Sequence, residues 1–204
     1  MVINLLTLLT GYLLGSISTG VLLSHFAAHT DIRQQGSGNA GTTNMLRVMG
    51  KKFALLTLAG DMLKGIVAVL IGSLLVGGKT GQILGAFGAI LGHNFPVFFG
   101  FKGGKGIATS FGALLFVFPV QALLAFVVFF VLVAVTHYVS LGSVAAAITL
   151  PLLVIFTTPY NPPVYIITAF IGASVVWRHR ANIRRLLQHT ENKLDFATLK
   201  KKKG

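Results

Sequence analysis

The chain has 204 residues, 54% hydrophobic and only 10% charged, with a mean hydropathy of +0.81. Its 17 Lys and Arg stand against 4 Asp and Glu, a net charge of +13. A soluble domain carries roughly 25% charged residues, and residues 107–177 hold no Asp, Glu, Lys or Arg at all, so soluble enzymes, disordered tails and fibrous chains are excluded and a polytopic membrane protein remains.

The chain opens on Met1-Val-Ile-Asn-Leu-Leu without a basic stretch, so its apolar start reads as a retained first span at about 3–25, not a cleaved signal. A polar loop at about 29–52 follows, carrying Arg33, Arg47, Lys51 and Lys52. Two spans, 53–77 and 80–96, lead to a glycine-rich loop with Lys102 and Lys105. The uncharged stretch then divides at Pro119, at His137 and at the 157–163 turn into segments at about 105–118, 119–137, 140–157 and 163–177. A basic tail at about 178–204 ends in Lys200 to Lys203, a candidate headgroup or insertion signal. Placing all three basic blocks in the cytoplasm satisfies the positive-inside rule. The expectation is an all-α polytopic membrane protein: one domain over 1–204, seven transmembrane helices with five as the fallback, N-terminus outside and C-terminus cytoplasmic. The same rule accounts for the basic excess without a nucleic-acid partner. With no Cys, disulfides and thiolate chemistry are absent, and no metal or cofactor is expected.

Three polar groups lie at the expected cytoplasmic ends. In Gln35-Gly-Ser-Gly-Asn-Ala-Gly-Thr-Thr-Asn44, glycines free backbone N–H groups for an anion. Ser37, Gly38, Asn39, Thr43 and Asn44 add donors and Arg47 a bidentate fork, and Thr43 or Asn44 is placed to cap a helix running on from Met45. The second group, Lys102-Gly-Gly-Lys-Gly106, with Gly103, Gly104 and Lys105 at its centre, is a basic glycine loop opening a helix and suits phosphate. It is not a Walker A loop, because Phe99 and Gly106 break the pattern. The third, Arg178-His-Arg-Ala-Asn-Ile-Arg-Arg, puts His179 and Asn182 on one helical face; Glu191 pairs with a nearby cation. Asp61 and Lys64, three apart in a span, neutralise one another. Ser140 and Ser143 sit at a helix end, free to cap or to bind.

Together these loops resemble the bacterial membrane glycerol-3-phosphate acyltransferases that use acyl-phosphate as donor. The strings that carry the resemblance are Gly36-Ser-Gly-Asn-Ala-Gly-Thr-Thr-Asn44 with Arg47, Gly92-His-Asn-Phe-Pro with Lys102-Gly-Gly-Lys-Gly-Ile-Ala-Thr109, and Arg178-His-Arg-Ala-Asn-Ile with Glu191-Asn-Lys193. The resemblance implies seven helices, lipid-bilayer residence in the bacterial cell membrane and a cytoplasmic active site. It makes Ser37, Arg47, His179 and Asn182 catalytic and the Lys102–Gly106 loop the glycerol 3-phosphate site, with Thr43, Asn44, Lys105 and Ser140 or Ser143 touching phosphate or donor. Ala40, Thr42 and His189 replace the Pro, Ala and Gly expected of the family. The implied reaction is attack of the sn-1 hydroxyl on the acyl-phosphate, giving 1-acylglycerol 3-phosphate and phosphate. The proton acceptor is either His179 or a substrate phosphate oxygen, in which case His179 holds an anion. A His-x-x-x-x-Asp pair is absent, so the soluble acyltransferase mechanism is not expected. A carrier for an anionic solute is the competing class.

Overall fold

The computed structural model describes residues 1–194; the Lys200–Lys203 cluster lies outside them. It is all-helical among the described residues. The helices are α1 (Val2–Gly15), α2 (Thr19–Ala28), α3 (Thr42–Val48), α4 (Lys51–Leu75), α5 (Gly78–Asn94), α6 (Ile107–Val117), α7 (Pro119–Thr136), α8 (Val139–Thr157), α9 (Pro162–Arg178) and α10 (Arg180–Leu187). Five stretches are long and apolar enough to cross a membrane: Val2–Ala28, Lys51–Leu75, Gly78–Phe99, Pro119–Thr136 and Val139–Thr157. Ile107–Val117 and Pro162–Arg178 are shorter apolar helices.

The expected first span is broken in two at residues 16–18. Ser16 returns both its N–H and its hydroxyl to the Tyr12 carbonyl, while the Ile17 carbonyl accepts Lys64 Nζ at 2.8 Å. Lys64 also pairs with Asp61 at 2.9 Å, so the expected structural ion pair is present and additionally satisfies the helix break.

Helix α5 is the central strut. Gly88 and Gly92 turn to α1, where a Cβ would collide with the Leu8 and Tyr12 carbonyls; Gly81 and Gly85 turn to α4, against Gly72 and Ala68. Lipid supplies no hydrophobic drive between helices, so this close approach has to supply the packing energy. Around α5, residues Val69, Ile83, Ile90, Leu114, Val117, Leu150, Val154 and Ile171 form one buried core joining α4, α5, α6, α8 and α9. Val21, Ile32, Ala40, Met45 and Ala54 form a second core beneath the first polar loop. Prolines start α7 and α9, and Asn161 caps α9 by accepting from the Val164 N–H at 3.4 Å.

Candidate active site

The first loop is wound around one side chain. Asn44, 1% exposed, accepts the Ser37 N–H at 2.8 Å and donates to the Ile32, Gln35 and Asn39 carbonyls at 3.1, 3.0 and 2.9 Å. Its amide thus shapes the loop, while the residue also lines the cleft of the site. Gly36 needs its glycine twice over: its φ is +59°, and a Cβ would strike Asn44 Oδ1. Asn39 also shapes the loop, accepting the Gly41 N–H through Oδ1 at 2.9 Å. Helix α3 begins at Thr42 after Gly41 with no side-chain cap, so neither Thr43 nor Asn44 caps a helix from Met45. What this loop offers outward is Ser37, exposed at its tip, and Arg47, exposed on α3.

The second loop is held from three sides. Arg33, fixed by Asp31 at 2.7 Å, donates to the Phe99 and Lys102 carbonyls at 2.8 and 2.9 Å. Arg178 donates to the Gly104 and Gly103 carbonyls at 3.0 and 2.9 Å. From beneath, the His93 carbonyl accepts the Gly104 N–H at 3.1 Å, and the His93 ring fills the space a Cβ on Gly104 would need. Gly103 and Gly104 therefore serve packing on α5, and they do not line the cleft. Lys102 is exposed and also lies off it. Lys105 and Gly106 are the members of this loop that reach the cleft. Arg33 and His93 were not singled out from sequence as site residues, and the grip of Arg178 on this loop was not foreseen. Arg33 and Arg178 grip main-chain carbonyls, which leave no residue pattern to read.

The third loop completes the constellation. Glu191 accepts from Ser140 at 3.0 Å, Asn182 at 2.7 Å and Arg185 at 2.7 Å. Desolvation works against its charge, yet these three donors hold the carboxyl below its usual range. Asn182, oriented by Glu191, accepts Lys105 Nζ at 2.6 Å. Burial, followed by the positive charges of Arg185, Arg47 and Arg178, pushes the Lys105 ammonium down to about 8 despite Glu191. His179, 3% exposed, closes α9 and donates Nδ1–H to the Val175 carbonyl at 2.8 Å. That bond fixes the tautomer and leaves Nε2 as an acceptor. Burial first, then Lys105, push its pKa down to about 4, so the ring is neutral at pH 7. The free ring thus presents Nε2 to the cleft as a hydrogen-bond acceptor.

His189 stands at φ +56°, with its N–H on the Leu186 carbonyl and the Thr190 N–H on Arg185 at 3.1 and 2.8 Å. This is the 5→2 and 6→1 pattern that ends helices on a left-handed residue. The turn expected from Gly is thus made with His in its place.

One cleft of about 480 Å³ brings these residues together: Ser37, Gly38, Asn39, Thr43, Asn44, Arg47, Lys105, Gly106, Ser140, Ser143, His179, Asn182 and Glu191 all line it. Ser143 back-bonds to the Val139 carbonyl at 2.8 Å. From the polar end the cleft continues into an apolar arm between α6, α7, α8 and α9, lined by Phe111, Leu114, Ala122, Ala125, Phe126, Ala146, Leu150 and Ile171. Among the described residues no three His, Asp or Glu side chains gather as a metal site.

A helical membrane fold with a cationic, amide-rich pocket continued by an apolar slot suits a membrane protein that takes a ligand with an anionic head and an apolar chain. Residues 5–189 match the family model described as glycerol-3-phosphate acyltransferase, and the chain belongs to that family of membrane acyltransferases. It is 48% identical over 188 residues to the glycerol-3-phosphate acyltransferase of Clostridioides difficile (strain 630), covering 90% of this chain and 91% of the relative. It is 49% identical over 187 residues to that of Syntrophotalea carbinolica, covering 91% and 95%. Its fold matches the crystal structure of PlsY (YgiH), an integral membrane glycerol 3-phosphate acyltransferase, in its glycerol 3-phosphate form, with TM-score 0.89, 38% identity, and 96% and 98% of the two chains covered. The lysophosphatidic acid form gives TM-score 0.85 at 37% identity, covering 96% and 97%. Family membership decides between enzyme and carrier in favour of the enzyme.

Proposed function

We propose that this acyltransferase takes its acyl group from acyl-phosphate and transfers it to the sn-1 hydroxyl of glycerol 3-phosphate, releasing 1-acylglycerol 3-phosphate and phosphate. The observation that carries the proposal is the continuity of one cleft from Ser37, Arg47 and Lys105 at its polar end to the Leu114 and Leu150 slot at the other. Two phosphates call for several cationic and neutral donors; a fatty chain calls for the slot. Arg47 has a guanidinium on the cleft with one weak contact, to the Asn192 carbonyl at 3.4 Å, and so is available to a phosphate. Lys105, aligned by Asn182, supplies a second charge.

Neutral His179 presents Nε2 to the attacking hydroxyl and orients it. The proton passes to the departing phosphate, which is the stronger base of the two at pH 7. Phosphate in the mixed anhydride is already a good leaving group, so alignment and charge stabilisation supply most of the acceleration. The chain works as one domain of the bacterial cell membrane. Seven helices cross the bilayer, the N-terminus lies outside, and the cleft opens to the cytoplasm. The test is purified protein in detergent with acyl-phosphate and glycerol 3-phosphate, scored for phosphate release and acylated product. Release that needs both substrates supports the proposal. Activity with an acyl thioester but none with acyl-phosphate overturns the donor assignment.

A further inference from the structure

Hydroxyl side chains within apolar helices commonly return their hydrogen to the carbonyl four residues back. Thr7, Thr57 and Thr168 do so here at 2.9, 2.8 and 2.7 Å. Ser110 does not. It is 8% exposed, and its hydroxyl has no hydrogen-bond partner, although its own N–H reaches the Gly106 carbonyl at 2.7 Å. A buried hydroxyl without a partner is a cost to the fold. Ser110 lines the same cleft as Lys105 and His179, so the unused donor belongs to the site.

Its place along α6 says what it serves. Gly106, Ser110 and Leu114 line the cleft at four-residue intervals, on one helix face, about 6 Å apart along the axis. Gly106 adjoins Lys105 at the polar end, and Leu114 belongs to the apolar core. Ser110 marks the boundary between them, in the first turns of α6, where the helix dipole also favours negative charge. An acyl-phosphate laid along this wall, phosphate toward Lys105 and chain toward Leu114, brings its carbonyl to Ser110.

We infer that Ser110 is a catalytic residue that donates its hydroxyl hydrogen bond to the acyl carbonyl oxygen as that oxygen becomes negative; the inference rests on acyl-phosphate being the donor. In the step it assists, the sn-1 oxygen forms a bond to the acyl carbon and the carbonyl π pair moves onto oxygen beside Ser110. The pair then returns, the bond from acyl carbon to phosphate oxygen breaks, and the sn-1 proton ends on the released hydrogen phosphate. Ser110 gives up no atom.

Steady-state kinetics of Ser110→Ala and Ser110→Thr in detergent, alongside thermal unfolding, test this. Ser110→Ala is expected to lose about 10²- to 10³-fold in kcat, with KM for both substrates within about threefold of the parent. Its Tm should not fall, because the hydroxyl has no protein partner to lose. Ser110→Thr should recover most of the rate. A kcat for Ser110→Ala within threefold of the parent overturns the role of Ser110 alone, as does a lower Tm that accounts for the lost activity. A parent protein that releases no phosphate from acyl-phosphate overturns the donor assignment and this inference with it.

Discussion

At the scale of single residues, two histidines make opposite uses of their surroundings. His179 is kept neutral by burial and by Lys105, with Nδ1 spent on Val175. A depressed histidine pKa means the neutral ring persists as pH falls until about 4. Between pH 5 and 8 the pH profile of kcat/KM should therefore have the same shape in the parent and in His179→Gln, which should retain substantial activity because the proton goes to phosphate and not to the ring. An inflection near the ordinary histidine value of ~6.5 that vanishes only in the variant would sink this account. His189 is exposed and strained in its left-handed turn. His189→Gly removes a conformational cost of about 1 kcal/mol and should raise Tm by a few degrees with kcat unchanged; a lower Tm would show that the imidazole has a role of its own. That Ser37 and Arg47 reach the cleft was legible because donors crowd the first loop beyond what a turn needs, and His179 followed from its three-residue spacing to Asn182. The loop-shaping role of Asn44 was not legible, because its three carbonyl partners are set by how the loop closes, not by spacing along the chain.

At the scale of elements, α6 poses the main problem. Eleven residues span about 16 Å, roughly half a hydrocarbon core, so as one of the proposed seven crossings α6 requires a locally thinned bilayer, and its last carbonyls need a donor. Lys79, at the start of α5, reaches the Val117 carbonyl and sits 5.2 Å from the Phe118 ring centroid. A cation there also complements the helix C-terminus. Lys79→Met should lower Tm by several degrees while kcat/KM stays within about twofold, because the site lies at the other end of α6; a large loss of activity at unchanged Tm would contradict the capping role. The helix bounds themselves were legible to within two or three residues, since hydropathy runs and prolines are local signals. The break at residues 16–18 was not. Gly15-Ser-Ile-Ser18 is uniformly apolar or small, and what opens the helix there is Lys64, 47 residues further on.

At the scale of the whole molecule, three loops far apart in sequence converge on one end of the bundle, and their convergence forces a sidedness. Arg33 ties the first loop to the second, Arg178 the third to the second, and Lys105 closes the set on Asn182. All three must then share one membrane face, the one the basic blocks assign to the cytoplasm. The turn at residues 158–161 lies at the far end of α8 and α9, so under the proposed orientation it faces outside. The protein has no Cys, so single introduced thiols report position without background. Lys102, His189 and Tyr160 are exposed and suitable, whereas Gly104 is packed against His93 and would report disruption instead. In intact cells, an impermeant maleimide should label Tyr160→Cys and leave Lys102→Cys and His189→Cys untouched until the membrane is opened. Labelling of Lys102→Cys from outside, with Tyr160→Cys protected, would invert the topology and place the cleft on the wrong side for a cytoplasmic substrate.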